Sequence, residues 1–176
     1  MIIGLYGDSR CGKDTVAMII ESEGYVWRSF AGALRELLFQ INPVIDFEDG
    51  ITYQDALKHF TLDAVKKNFP ESVELMIRLG QAARNIIHED VWIWPVMRNL
   101  PFNTVISDVR QQNEYDAIMD AGGEVWKIVR PGTKPRAMDR LLDHNDFSVC
   151  IHNNGSLADL ELVVKEQLKN AETGRT

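Results

Sequence analysis

An α/β fold, with helices packed on both faces of a parallel sheet, is what this sequence predicts. Short apolar runs rich in β-branched and aromatic residues alternate with longer stretches of helical periodicity, the pattern of successive βαβ units. The first of these runs leads directly into a glycine-rich turn and then a helical stripe. With 45% hydrophobic and 26% charged residues over 176 positions, the chain has the make-up of one ordinary globular domain.

Residues 1–6 read as a first strand, and residues 12–23 as a helix whose Val16, Ile19 and Ile20 recur at spacings of three and four. A second strand is expected over 25–30 and a second helix over 31–40. Residues 103–107 read as a central strand, with a helix behind it over 111–121. A strand over 124–130 ends at Pro131-Gly132, and a last strand spans 147–151. The final helix opens at Ser156, whose spacing to Asp159 is that of a capping box. It carries Leu157, Leu160, Val164 and Leu168, and fraying is expected beyond Asn170. Between residues 41 and 100 the alternation breaks. A loop-like stretch, 42–52, precedes a helix with Met76, Leu79, Ala83 and Ile86 on one stripe, and 91–100 read as a further helix. The expectation is a single domain with its core at 1–40 and 101–170, a helical insertion at about 41–100, and a short lid at about 131–146.

Charge and composition exclude several roles. A net charge of −7 lacks the basic footprint that a nucleic-acid polymer requires. No stretch reaches the ~18 apolar residues of a membrane span, and the start lacks a secretory pattern. The two cysteines, Cys11 and Cys150, read as free thiols of an intracellular, cytoplasmic protein. An acidic chain with several apolar helices is also open to forming a homodimer.

The chemistry is concentrated in Gly7-Asp8-Ser9-Arg10-Cys11-Gly12-Lys13-Asp14-Thr15. Between a strand and a helix, G-x-x-x-x-G-K is a phosphate-binding loop. Gly7 and Gly12 let the backbone curl so that its N–H groups point inward, and Ser9, Arg10, Cys11 and Gly12 are candidate phosphate-binding residues with them. The helix N-terminus adds about half a positive charge, and Lys13 reaches the outer phosphates. Asp14 occupies the position where a Ser or Thr usually serves Mg²⁺. Two readings stand: Asp14 holds the metal, directly or through water, or it faces away as a first-turn acid while Thr15 contacts phosphate.

Asp108 ends the apolar run Thr104-Val105-Ile106-Ser107 and is a second metal candidate; its alternative is a helix cap. Arg110 follows as a phosphate clamp or a plain surface arginine, and Asn113 and Glu114 either fix this turn or touch substrate. Arg35, Arg78 and Arg84 are candidate acceptor-phosphate donors, each more often solvated when taken alone. Arg130, Lys134, Arg136 and Arg140 form a basic stretch that reads as a lid over the transferring phosphoryl group or as an exposed loop. His144 and His152 stand apart from any metal-ligand spacing, and Trp92 and Trp94 read as packing residues.

Taken together, the blocks Gly7 to Thr15, Leu79-Gly80-Gln81-Ala82-Ala83-Arg84, Glu89-Asp90-Val91-Trp92, Ser107-Asp108-Val109-Arg110-x-x-Asn113-Glu114 and Val129-Arg130-Pro131-Gly132 run in order along nearly the whole chain. They resemble the phage-type deoxynucleoside monophosphate kinases, in which Asp in place of the loop Ser or Thr is normal. The resemblance implies a three-layer P-loop NTPase fold with a helical acceptor-binding insertion and a lid. It also implies ATP with Mg²⁺ as donor, a deoxynucleoside monophosphate as acceptor, and the bacterial host's cytoplasm for a phage-encoded chain. By position, Lys13 and the loop amides would hold ATP, and Arg110 and Arg84 the acceptor phosphate. The family's His-x-Ser-Glu element after the lid is replaced here by His144-Asn145-Asp146-Phe147-Ser148. Rival readings are a P-loop kinase of another acceptor (dephospho-CoA, phosphomevalonate or a sugar) and a non-catalytic nucleotide switch.

Overall fold

The computed structural model describes residues 1–133 and 141–174. In chain order its elements are β1 (Ile2–Tyr6), α1 (Lys13–Ser22), β2 (Val26–Arg28), α2 (Ala31–Ile41), β3 (Val44–Asp46), β4 (Ile51–Thr52), α3 (Tyr53–His59) and α4 (Leu62–Asn68). They continue with α5 (Pro70–Ile86), α6 (Trp94–Met97), β5 (Thr104–Ile106), α7 (Gln112–Asp120), β6 (Glu124–Val129), β7 (Val149–His152) and α8 (Leu157–Thr173). The chain divides into two compact units, one of residues 1–30 and 96–176 and the other of residues 31–95.

The first unit is built on a five-stranded sheet in the order β2-β5-β1-β6-β7, with every pairing parallel. Parallel neighbours need crossovers, and the crossovers bury both faces of the sheet. Because side chains alternate along a strand, Ile3 and Leu5 of β1 face one way and Gly4 and Tyr6 the other. Ile3, Leu5, Trp126, Ile128 and Ile151 join Val16, Ala17 and Ile20 of α1 and Leu160, Val164 and Leu168 of α8 in one buried core. Each such fully buried aliphatic side chain contributes roughly 1.5–3 kcal/mol.

On the opposite face α7 comes close to the sheet at Gly4. A methyl group there would lie 2.6 Å from Ile118 and 2.9 Å from Val109. Beside α7, the segment leading into β7 lays Phe147 flat on Tyr6, with ring centroids 5.2 Å apart. Tyr115 of α7 meets Phe147 edge-on. Lys127 lies over both the Tyr6 and Phe147 rings and pairs with Asp143 at 2.8 Å, while the Tyr6 hydroxyl donates to Asp143 at 3.1 Å. Helices thus sandwich a parallel sheet, in the three-layer arrangement expected.

The second unit is mainly helical. Leu38, Ile45, Tyr53, Ala56, Val65 and Phe69 form its core, with Leu75, Met76 and Leu79 of α5 packed against them. Thr52 and Thr61 accept from the backbone N–H groups of Asp55 and Ala64 and so start α3 and α4, and Pro70 starts α5.

Several sequence expectations differ in detail. The stretch 42–52 is a short antiparallel hairpin, β3–β4, rather than a loop. Ile86 is 82% exposed, so the buried stripe of α5 ends at Ala83. In place of a helix over 91–100 there is the four-residue α6; Pro95, with no N–H to donate to the Val91 carbonyl, bars a helix from running through it from residue 91. The last strand starts two residues later than expected, and α8 runs on to Thr173. The compact helical unit takes in α2, where the sequence places its boundary ten residues later.

Candidate active site

The glycine-rich turn lies at the C-terminal edge of the parallel sheet, where open α/β folds place their ligands. It joins central strand β1 to α1 and closes on itself through Cys11 N–H donating to the Asp8 carbonyl at 3.3 Å. Gly12 has φ 106° and Gly7 φ 150°. A methyl at Gly7 would run into the carbonyl oxygen of Ile128, and one at Gly12 would lie 2.5 Å from the Asn153 amide nitrogen. Both glycines are therefore required by space as well as by conformation. Arg10 also adopts the left-handed region, at φ 65°, with its side chain exposed. Ser9 and Thr15 are half-buried on either side of the turn, and Asp14 is exposed in the first turn of α1.

The Lys13 ammonium folds back over this turn and donates to the carbonyls of Gly7 and Asp8, both at 2.7 Å. The Cys11 sulfur is 3.8 Å from it. Burial pushes the Cys11 thiol above its ordinary range, with the neighbouring Lys13 charge offsetting part of that. Cys11 and Cys150 are both free thiols. The loop also reaches outward: Thr133 Oγ1 lies 2.8 Å from the Asp8 carboxylate and 2.9 Å from the Arg130 carbonyl, and its single proton serves one or the other. Arg130 itself is exposed just past the end of β6. Arg136, Lys134 and Arg140 lie outside the described residues.

A second wall comes from the turn after β5. The Asp108 carboxylate accepts from Ser29 Oγ at 2.6 Å and from the Phe30 N–H at 2.8 Å. It thereby ties β5 to the segment after β2, rather than capping α7. Next to it, the Ser107 hydroxyl accepts from the Trp27 indole at 2.8 Å. Glu114, buried in the first turn of α7, accepts from the backbone N–H groups of Arg110 and Gln111 at 2.7 and 3.0 Å. Of the two roles weighed for Glu114, the geometry is that of a residue shaping the turn on which half-buried Arg110 sits. Asn113 is half-buried at the second position of α7. The structure thus gathers Lys13, Asp108, Arg110, Asn113, Glu114 and Arg130 onto the first unit.

Arg35, Arg78 and Arg84 belong to the second unit. Arg35 is half-buried on α2, close enough to Tyr53 for its charge to lower that hydroxyl's pKa, although burial raises it more. Arg78 is exposed on α5, 3.7 Å from Glu74, and Arg84 is half-buried in the last turn of the same helix. Trp92 is buried and donates to the Gly80 carbonyl at 3.1 Å, a packing role. Trp94 is 48% exposed against His88.

For a magnesium polyphosphate the donor set suits the chemistry. Mg²⁺ is usually held by one or two carboxylates, with phosphate oxygens and waters completing its shell. Asp108 and Asp14 are the two candidate carboxylates read from the sequence, and among the described residues there is no cluster of three or more His, Cys, Asp or Glu able to hold a metal alone. No described helix is long and apolar enough to cross a membrane. Sequence reasoning passed over Asp8, Ser29, Tyr6, Lys127 and Asn153. The signal for Asn153 lay in Asn153-Asn154-Gly155, a turn directly after a parallel strand and so at the ligand edge of the sheet.

No family model matches the chain. Its sequence is 25% identical to a protein of Acanthamoeba polyphaga mimivirus described as a putative deoxynucleotide monophosphate kinase, over 97% of each chain. Solved structures similar to it include shikimate kinase from Aquifex aeolicus at 13% identity and TM-score 0.46, covering 99% of this chain and 98% of the other. Dephospho-CoA kinase from Campylobacter jejuni follows at 17% identity and TM-score 0.48, with the same coverage. The strand order, the parallel pairing and the glycine-lysine turn between β1 and α1 give this chain the P-loop fold.

Proposed function

We propose that this chain transfers the γ-phosphoryl group of ATP to the phosphate of a deoxynucleoside 5′-monophosphate, giving ADP and a deoxynucleoside diphosphate. The observation that carries the reading is the Lys13 ammonium held over a glycine-shaped loop at the N-terminus of α1. Similarity to the mimivirus protein over the full length supports the nucleotide acceptor.

In this reading the loop N–H groups and Lys13 bind and orient the donor's outer phosphates. Asp108 and Asp14 would hold Mg²⁺, which would supply charge neutralisation. An oxygen of the acceptor phosphate forms the new P–O bond while the bond between the β-γ bridging oxygen and the γ-phosphorus breaks, and its electron pair leaves with ADP. That oxygen is already ionised at neutral pH, so no general base is needed, and catalysis rests on alignment and charge stabilisation. Arg110 is assigned to the acceptor phosphate, where a guanidinium makes paired hydrogen bonds. Arg84 and Arg35 are assigned to the same task and Asn113 to substrate contact. Arg130 and Arg136 are assigned to the transferring group. Arg78, exposed beside Glu74, is the weakest of the arginine assignments.

The test is ADP release in a coupled assay with Mg-ATP and each of the four deoxynucleoside monophosphates, beside dephospho-CoA, phosphomevalonate and a sugar. At least one deoxynucleotide is expected to exceed the control without acceptor. If none does while another acceptor turns over, the acceptor assignment is wrong; if nothing turns over, the kinase reading is.

A further inference from the structure

Asn153 is a polar side chain that is only 9% exposed, and its amide is spent on the phosphate-binding loop. Its Nδ2 donates to the Cys11 carbonyl at 2.9 Å. The residue is fixed from behind: its backbone N–H donates to the Val129 carbonyl at 2.8 Å, extending the β6–β7 ladder by one step beyond Val129 and His152. Ile151, two residues earlier, faces the core that contains α1, so alternation turns the Asn153 side chain toward the same layer. The loop carries a matching adaptation, since any side chain at Gly12 would collide with this amide.

The geometry has a directional consequence. Across a trans peptide the carbonyl and the following N–H point in opposite directions, and the described chain contains no cis peptide. Pulling the Cys11 carbonyl toward Asn153 therefore aims the Gly12 N–H away from it, and this N–H lies at the N-terminus of α1, where its partner must come from outside the helix. We propose that Asn153 is a positioning residue for the phosphate-binding loop: its carboxamide sets the Cys11–Gly12 peptide so that the Gly12 N–H is presented to a bound polyphosphate. The proposal deepens the assignment of this loop to ATP and rests on it. Asn153 touches no reacting atom and acts through the loop.

Calorimetric titration of the full-length chain with ATP and with tripolyphosphate, for the unaltered protein and for Asn153→Ala and Asn153→Asp, tests it. Adenosine serves as the probe without phosphates. Both substitutions remove the donor, and the Asp also turns an acceptor toward a carbonyl. ATP and tripolyphosphate affinity is expected to fall about tenfold in the Ala variant and further in the Asp variant, while adenosine binding is unchanged. A general loss of structure would weaken adenosine as well. Equal tripolyphosphate affinity in folded variants and unaltered protein overturns the proposal. If the unaltered protein binds neither ATP nor tripolyphosphate, it is the ATP assignment that falls. Should both variants fail to fold, the Gly12 amide resonance of the unaltered protein decides: it is expected to move strongly downfield on adding tripolyphosphate, and a resonance that stays in place overturns the proposal.

Discussion

Replacing Lys13 by Met keeps the length and apolar stem of the side chain and removes one charge and its donors. Without nucleotide, that ammonium makes two short bonds to the Gly7 and Asp8 carbonyls. Binding a polyphosphate draws it off them, at a cost of about 1.5 kcal/mol for exchanging such bonds. Against this stands its attraction to a phosphate charge, ~4 kcal/mol for unit charges about 4 Å apart at an effective dielectric constant near 20. About 2.5 kcal/mol remains, so Lys13→Met is expected to weaken ATP binding about 60-fold. Calorimetry with ATP and tripolyphosphate measures this directly, with circular dichroism confirming the fold. An affinity within about twofold of the unaltered protein would mean that the ammonium does not face the phosphates, and the kinase reading would fall with it.

Four further outcomes follow from the same geometry. Asp108→Ala breaks the bonds to Ser29 and the Phe30 N–H and is expected to cost about 2 kcal/mol while raising the Mg²⁺ requirement; a Mg²⁺ titration of turnover that is unchanged in a folded variant removes Asp108 from the metal site. Glu114→Ala strands the Arg110 and Gln111 N–H groups and is expected to lower the melting temperature by about 4–8 °C; an unshifted melting curve would show that the turn holds without it. Gly12→Ala is expected to abolish tripolyphosphate binding, because the added methyl meets the Asn153 amide at a left-handed backbone position; normal titration by calorimetry would contradict the loop geometry. Tyr6 is raised above its ordinary value of 10.0, by burial first and then by the Asp143 charge. Above that value the unfolded chain loses the proton while the folded chain keeps it, so the contribution of Tyr6 to stability is fully present below pH 10 and falls as pH rises. Tyr6→Phe should flatten part of that decline in denaturant melts; Tyr53, Cys11 and Lys165, raised as well, contribute to what remains.

The parallel core was legible because its strands are near-continuous apolar runs and its helices carry plain stripes. The phosphate loop was legible because its spacing and its context, strand before and helix after, agree. What stayed hidden depends on partners distant in the chain. Nothing local to Asp108 says that Ser29 and Phe30 will occupy its oxygens. Lys127 looks like a surface lysine on β6 until Tyr6, Phe147 and Asp143, from two other segments, close around it. The hairpin at 42–52 was missed because its strands are two and three residues long, too short for alternation to register. Ile86 fits the periodicity of α5 yet projects from its last turn, where no second layer reaches it.

Gly4 lies in an ordinary extended strand, where the backbone would accept any residue, yet a methyl group there would force the Ile118 and Val109 side chains to shift. What closes the position is the seat of α7, with Ile118 and Val109 against the bare α-carbon. Val109 sits between Asp108 and Arg110, so a shift of Val109 to admit a methyl at position 4 would be felt in the turn that carries both charged residues. An alanine at position 4 would act as a shim, displacing charges it never touches, and the kinetics would register a substitution made in the middle of an apolar strand.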